Sequence, residues 1–321
     1  MGEVPESSVT YEQLADLERE FDDVEAEIIR QQVKLSQPLY EKRAELISKI
    51  PNFWPLVFEA APPDVDEFIQ PSDAALLSVS LKNVDVKHFE LEAGEPRSFS
   101  VVFEFDENDH FEDKVLEKKF WYRHHKSLTW SGFVSEPVEI KWKEGKDLTE
   151  GLLGLAKKVW DEEQEGLKAG KPVTGWTDTR KELQKKIEDT GIGAVSFFAW
   201  FGFIGRRITA EESAEADKKE RERRKLRQAG QEVPKTKEEE DEDDEDEEEE
   251  IEEELEIFPG GADLATAISE DLWPDAIKHF TNAMEQENLS EMSFEDEEMD
   301  DDDEEGNDEG EAVPPKKKTK V

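Results

Sequence analysis

The sequence contains no cysteine, which excludes disulfide bonds, thiolate metal sites and cysteine nucleophiles. No stretch approaches the roughly 18 consecutive apolar residues of a membrane-spanning helix. The first residues also lack the apolar segment of a secretory signal peptide. We therefore expect a soluble, intracellular protein without a membrane partner.

Recognisable catalytic and metal-binding spacings are missing as well. None of the five histidines lies in a metalloprotease spacing. Residues 106–117 resemble a calcium loop in their oxygen-bearing positions, but Phe111 stands where such a loop needs glycine. Gly191 and Gly193 form an isolated pair without the lysine of a phosphate loop. The sequence therefore predicts no catalytic residue, no metal site and no cofactor, in a protein that is not an enzyme.

Positive charge is scarce: 41 Lys and Arg face 85 Asp and Glu, for a net charge of −44. This balance argues against a phosphate backbone as the main partner, so no direct sequence-specific nucleic-acid contact is expected. Acidic residues fill 17 of the 19 positions of Glu238–Glu256 and 13 of the 17 of Glu295–Glu311. Charges this dense repel one another, which predicts an extended internal loop and a disordered tail that either solubilise the chain or bind a basic partner.

Two basic segments run against this trend. Seven of the ten residues of Lys218–Arg227 are Lys or Arg, and the segment is either a basic loop or a solvated helix with internal ion pairing. At the C-terminal end, a proline precedes a short lysine cluster that is typical of a nuclear import signal. Its members are Lys316, Lys317, Lys318 and Lys320. We expect a nuclear protein that also shuttles to the cytoplasm.

The N-terminal region has the heptad pattern of a long helix. Apolar residues at alternating spacings of three and four form a seam. The seam residues are Leu14, Leu17, Phe21, Val24, Ile28 and Leu35. A helix over residues 10–50 is longer than one domain core needs, which predicts a homodimer formed through this helix. The seam could instead pack on the chain's own domain, and Pro38 could break the helix in two.

Alternating apolar residues predict an antiparallel sheet after this helix, near residues 84–89, 99–105, 115–122 and 138–142. Helical patterns follow at 148–168 and 177–201. The fold class is therefore α+β. The predicted organisation is a disordered N-terminus (1–9), the long helix (10–50), an α+β domain (51–289) with a charged insertion at about 205–257, and the acidic tail (290–321).

Five segments, occurring in the family's order, resemble the nucleosome assembly protein family and more closely its SET (template-activating factor) branch. They lie at residues 37–54, 103–116, 139–149, 196–201 and 271–280. The chain departs from the SET pattern between Gly202 and Pro259, where it carries the insertion.

The resemblance implies a headphone-shaped homodimer, in which paired long helices carry two α+β domains called earmuffs. It also implies an ATP-independent histone chaperone that binds core histones on an acidic concave face and promotes nucleosome assembly and disassembly. Asp263, Glu270 and Asp271 are the residues that we predict for this face, although they could equally be helix N-terminal charges. The alternatives are an acidic scaffold or phosphatase inhibitor, and a cofactor of a histone acetyltransferase.

Overall fold

The computed structural model describes residue 9 and residues 11–127, 130–191, 195–228 and 242–286. Residues 1–8, the tail from 287 onward and the lysines of the predicted import signal lie outside the described residues. A single helix, α1, runs from Tyr11 to Ile47 with Pro38 inside it. Its 37 residues span about 55 Å at 1.5 Å per residue. The predicted long helix is confirmed, and it does not break at Pro38.

Four antiparallel strands form the sheet, in the order β1-β2-β3-β4. Their bounds are Leu81–His88, Phe99–Phe105, Val115–His124 and Ser131–Ser135. The first three strands match the prediction, whereas β4 was missed. The predicted strand at 138–142 was wrong: within that segment, Trp142 forms only an isolated bridge with Phe111. That segment instead runs beside the sheet, where Val138 N–H donates to Phe201 O at 2.8 Å.

Helices surround the sheet. Those before it are α2 (Phe53–Glu59), α3 (Pro63–Asp66) and α4 (Pro71–Ser80). Those after it are α5 (Leu152–Lys168), α6 (Asp178–Thr190), α7 (Ala210–Gln228), α8 (Glu242–Glu254), α9 (Gly261–Ala267) and α10 (276–286), with a π-helical turn at Ile268–Leu272. No helix among the described residues combines the length and apolar character needed to cross a bilayer.

An aromatic 3₁₀ helix, Phe197–Gly202, forms the centre of the core. Phe197 and Trp200 are fully buried against Phe103 of β2. The buried carboxylate of Asp73 accepts hydrogen bonds from Ser196 Oγ (2.6 Å) and the backbone N–H of Phe197 (2.7 Å). The predicted helix over 177–201 therefore divides: α6 ends at Thr190, and Gly191 follows with a positive φ of 71°, a conformation that favours glycine.

Lys118 of β3 ties the sheet to this aromatic helix. Its side chain is fully buried, and Nζ donates to the backbone carbonyls of Glu136 (2.7 Å), Phe201 (3.0 Å) and Phe203 (2.6 Å). Burial lowers the pKa of Lys118 to about 7, because desolvation disfavours the charged ammonium. The three carbonyl acceptors match the three donors of a lysine ammonium, so β3 and the core helix are held in a fixed relation.

The C-terminal part of α1 is anchored on the domain through Arg43. The guanidinium lies over the rings of both Tyr40 and Trp273, with its Cζ 4.7 and 4.5 Å from the two ring centroids. Its Nη1 also donates to the carbonyl oxygens of Trp273 and Pro274. Trp273 in turn donates from Nε1 to Val84 O of β1 at 3.1 Å. The end of the long helix is therefore fixed to the sheet.

Candidate functional site

The predicted seam forms an exposed apolar stripe along α1. The stripe comprises Leu14, Leu17, Phe21, Val24, Ile28 and Leu35, each between 51% and 75% exposed. The other side of the helix faces the domain: Ala26 is buried, and Arg30 donates to Leu91 O (3.1 Å) and Gly94 O (3.0 Å). The seam therefore does not pack on the chain's own domain. An apolar stripe of this length is typical of a surface covered by another helix.

The basic segment Lys218–Arg227 is helical and lies within α7. Arg224 Nη1 contacts Asp23 Oδ2 of α1 at 3.0 Å, and Arg227 Nε donates to Asp16 Oδ2 at 3.0 Å. Arg227 Nη2 also donates to Glu220 Oε1 at 2.7 Å. The helix, rather than the basic loop, is thus confirmed, although most of these ion pairs go to α1 and not within α7. Cations that look like a separate basic patch in the sequence instead join α7 to the acidic side of α1.

The prediction that the first acidic run is an extended loop was wrong for Glu242–Glu254, which forms helix α8. Its carboxylates meet arginines from other elements: Glu248 contacts Arg180, and Glu249 contacts Arg206 at 3.1 Å. Just after the helix, Glu256 Oε2 accepts from the backbone N–H groups of Ile204 and Gly205. These partners offset the repulsion among the glutamates, whose helix propensity is good. Residues 248–256 are therefore part of the fold.

The centre of this contact is a buried ion-pair network. Arg180 of α6 has a side chain only 3% exposed, and its Nη2 donates to Glu163 Oε1 of α5 at 2.9 Å. Glu163 also contacts Arg207 Nε at 3.4 Å. Arg180 Nη1 reaches both Glu248 and the carbonyl of Gly175. The network links α5, α6, α8 and the segment after the core helix.

Glu252 is the least neutralised carboxylate of the network. Its only ion pair among the described residues is a 3.9 Å contact with Arg207 Nε, although it also accepts from Arg207 N at 3.3 Å. Burial raises the pKa of Glu252 to about 7, and the charges of Glu163 and Glu248 add to this effect. The side chain is 15% exposed, so water screens it little.

Glu252→Gln is expected to stabilise the protein at neutral and higher pH. Between pH 4.5 and about 7, the native state binds more protons at Glu252 than the unfolded state, so this group's contribution to stability falls as pH rises. The variant should match the parent near pH 4.5 and exceed it by about 2–3 kcal/mol at pH 8. Urea unfolding across this pH range measures the difference. A constant difference between the two proteins would contradict the expectation.

The predicted binding residues lie near the end of the domain. Asp263 is exposed in the first turn of α9, and Glu270 is exposed in the π-helical turn. Asp271 is half-buried, and its Oδ1 lies 3.1 Å from His279 Nε2. The structure thus gives Asp271 a partner within the chain and leaves Asp263 and Glu270 open to solvent. Among the described residues, no group of three His, Asp or Glu side chains is placed to hold a metal ion.

The protein combines a long helix, which has an exposed apolar stripe, with an acidic α+β domain. Comparison with known proteins identifies the family that has this architecture. The sequence model of the nucleosome assembly protein (NAP) family matches residues 47–283, nearly three quarters of the chain. The chain belongs to this family. The match begins at the last residue of α1 and extends into α10.

Sequence relatives carry names from this family and its SET branch. The chain is 36% identical over 152 residues to a Schizosaccharomyces pombe protein named as a nucleosome assembly protein, covering 44% of the chain and 61% of that protein. It is 39% identical over 124 residues to Protein SET of Drosophila melanogaster, covering 37% of the chain and 43% of that protein. The chain thus spans about two fifths to three fifths of these relatives.

Solved structures extend the likeness over most of the chain. A mutant of Ccp1 is 26% identical, with a TM-score of 0.51 over 87% of this chain and 97% of that one. Vps75 is 21% identical, with a TM-score of 0.51 over 84% of this chain and 96% of that one. At this identity Vps75 supports the fold alone, which is the predicted α+β fold with a long N-terminal helix.

Proposed function

We propose that the protein is an ATP-independent histone chaperone that binds core histones and promotes nucleosome assembly and disassembly. The observation that carries this proposal is the family match over residues 47–283. The net charge of −44 agrees with it, because core histones are strongly basic and their lysines and arginines are attracted to carboxylate-rich surfaces. A nuclear location follows from this role and from the lysine cluster at 316–320.

The working form in this proposal is a homodimer paired through α1. The exposed stripe would be covered by the same stripe of a second copy, which a two-fold axis makes self-complementary. The dimer would hold two domains on a common support and carry twice the negative charge of one chain. A basic protein of histone size could then contact both domains at once, and the linkage would raise its affinity.

The mechanism of the proposal is competition for the same cations. Carboxylates of the chaperone and phosphates of DNA both attract histone lysines and arginines, so histones held by the chaperone are shielded from non-specific DNA contact. Exposed Asp263 and Glu270, together with Asp271, belong to the proposed face, while the acidic segment 290–321 speeds capture. Transfer to the nucleosome needs no nucleotide hydrolysis. It requires only that histones bind the chaperone more tightly than non-specific DNA and less tightly than the nucleosome. Screening by salt should weaken capture.

Titrating each labelled core-histone pair with the protein at physiological salt, with and without duplex DNA, tests the proposal. We expect binding that withstands the DNA and that weakens but persists when residues 290–321 are removed. If removing residues 290–321 abolished all binding, the protein would act only as a polyanion, without a shaped binding face. No binding to any histone pair would overturn the proposal and favour the phosphatase-scaffold alternative.

Charge reversal tests the proposed face. Changing Asp263, Glu270 and Asp271 to lysine is expected to raise the histone Kd at least about tenfold, because three attractive contacts become repulsive. The matched control reverses three other exposed carboxylates, Glu165, Glu188 and Asp189 of α5 and α6, and should change the Kd less than about threefold. Equal effects of the two triple variants would show that only total charge matters.

A further inference from the structure

A cavity of about 540 Å³ lies between the sheet and helices α5, α6 and α8. Apolar side chains form part of the lining. They are Trp121, Trp160, Leu167, Val173 and Ile208. A volume of this size suits a small ligand or a few residues of a peptide. Because α8 and residues 206–212 belong to the charged insertion, the cavity depends on this insertion.

The lining also carries more negative than positive charge. Six glutamates and four arginines line the cavity. The glutamates are Glu136, Glu163, Glu211, Glu212, Glu248 and Glu252, and the arginines are Arg123, Arg180, Arg206 and Arg207.

Two of these arginines are engaged by carboxylates outside the lining. Arg123 contacts Glu90 at 3.4 Å, and Arg206 contacts Glu249 at 3.1 Å. Arg180 and Arg207 therefore remain to neutralise three network carboxylates, those of Glu163, Glu248 and Glu252. A cation entering the cavity would supply the missing positive charge.

An added cation would interact most favourably with Glu252. Its ion pair with Arg207 is long, at 3.9 Å, and burial beside Glu163 and Glu248 raises its pKa to about 7. A neighbouring cation would favour the ionised carboxylate and lower that pKa. The network thus has an acidic position that its own arginines neutralise incompletely.

A peptide fits the remaining chemistry better than a free metal ion. The apolar side chains of the lining offer no ligand to a metal, but they can pack against the aliphatic stem of a long basic side chain.

We propose that this cavity binds a lysine side chain of a basic protein segment, with the stem against Trp121 and Trp160 and the ammonium at Glu252. Identifying the segment as part of a histone rests on the proposed function, whereas the lysine site itself rests on the cavity. The site would add a shaped contact to an otherwise diffuse electrostatic attraction, and so would give the insertion a role in selecting partners.

The test uses the full chain labelled with 5-fluorotryptophan and ¹⁹F NMR, with the Trp121 and Trp160 signals assigned from Trp121→Phe and Trp160→Phe. The probe is the peptide acetyl-Gly-Ala-Lys-Ala-Lys-Ala-Gly-amide. Its control has norleucine in place of both lysines, which keeps the aliphatic stem and removes the charge. We expect the lysine peptide to shift both tryptophan signals in a saturable way, and the norleucine peptide to leave them in place.

Glu252→Gln should raise the Kd of the lysine peptide about fivefold or more, which corresponds to about 1 kcal/mol of binding free energy. Glu253→Gln removes the same charge from an exposed position on the same helix and should have little effect. Because Glu252→Gln is expected to stabilise the fold, weaker binding by this variant cannot be attributed to unfolding. Equal effects of the two variants, equal shifts with both peptides, or unmoved tryptophan signals would each overturn the proposal.

The same labelled protein separates this inference from the proposed function. If core histones bind tightly while the Trp121 and Trp160 signals do not shift, the proposed lysine site is wrong and the proposed chaperone function is retained. If the lysine peptide binds at these tryptophans but no histone pair binds, the site stands and its partner is a different basic protein.

Discussion

Replacing Phe21 and Ile28 by glutamate is expected to convert the protein from a dimer to a monomer. Both side chains lie in the exposed stripe of α1, at 67% and 57% exposure. Burial of a phenylalanine or isoleucine contributes about 1.5–3 kcal/mol, and a two-fold interface contains each side chain twice. Losing four such contacts, and placing four carboxylates in the seam, should cost at least about 6 kcal/mol, a rise in the dimer Kd of more than about 10⁴-fold.

Sedimentation velocity over a range of protein concentrations measures this change. The matched control is Val79→Glu with Ile277→Glu, which adds the same charge at apolar positions that are 77% and 57% exposed outside α1. That variant should remain a dimer, and circular dichroism should show that both variants keep their helix content. A double variant of the stripe that still dimerises would show that a different surface pairs the chains.

Replacing Arg180 by methionine is expected to cost about 3–5 kcal/mol of unfolding free energy, because it removes the main partner of the buried Glu163 and of the partly buried Glu248. The side chains of Arg180 and Glu163 are only 3% and 8% exposed. Helix α8 should lose much of its attachment, since Arg180 bridges Glu248 and the carbonyl of Gly175. Urea unfolding gives the free energy, and hydrogen exchange over residues 248–256 reports whether α8 detaches.

Lys158→Met is the control for this prediction. Lys158 forms an exposed 3.9 Å pair with Glu182, so its loss should cost less than about 1 kcal/mol. Adding Glu163→Leu to Arg180→Met should restore part of the lost stability, because it removes the buried carboxylate that has lost its main partner. A loss below about 1 kcal/mol for Arg180→Met alone would show that the network contributes little to holding α8.

Family membership was recognisable from the sequence because its motifs are short and keep their order. The segments at 37–54, 103–116 and 271–280 each combine aromatic and polar residues in a distinctive pattern. The structure explains that pattern. Asn108 Oδ1 accepts from His110 N and Phe111 N in a turn after β2, and Trp273 donates to Val84 O. Local hydrogen bonds and aromatic packing require these residue types, so the sequence displays them.

Periodicity along the sequence determined the long helix, its apolar stripe and three of the four strands, because repeats of 3.5 and 2 residues are local properties of the chain. Only the tertiary structure determined the conformation of the charged insertion. Arg180, Arg206 and Arg207 meet Glu248, Glu249 and Glu252 across 43 to 68 residues of sequence, and no local pattern indicates that these charges converge. This convergence lines the cavity with charge and turns acidic residues that should repel one another into a docked helix. Other contacts between distant segments bury Lys118 against three backbone carbonyls.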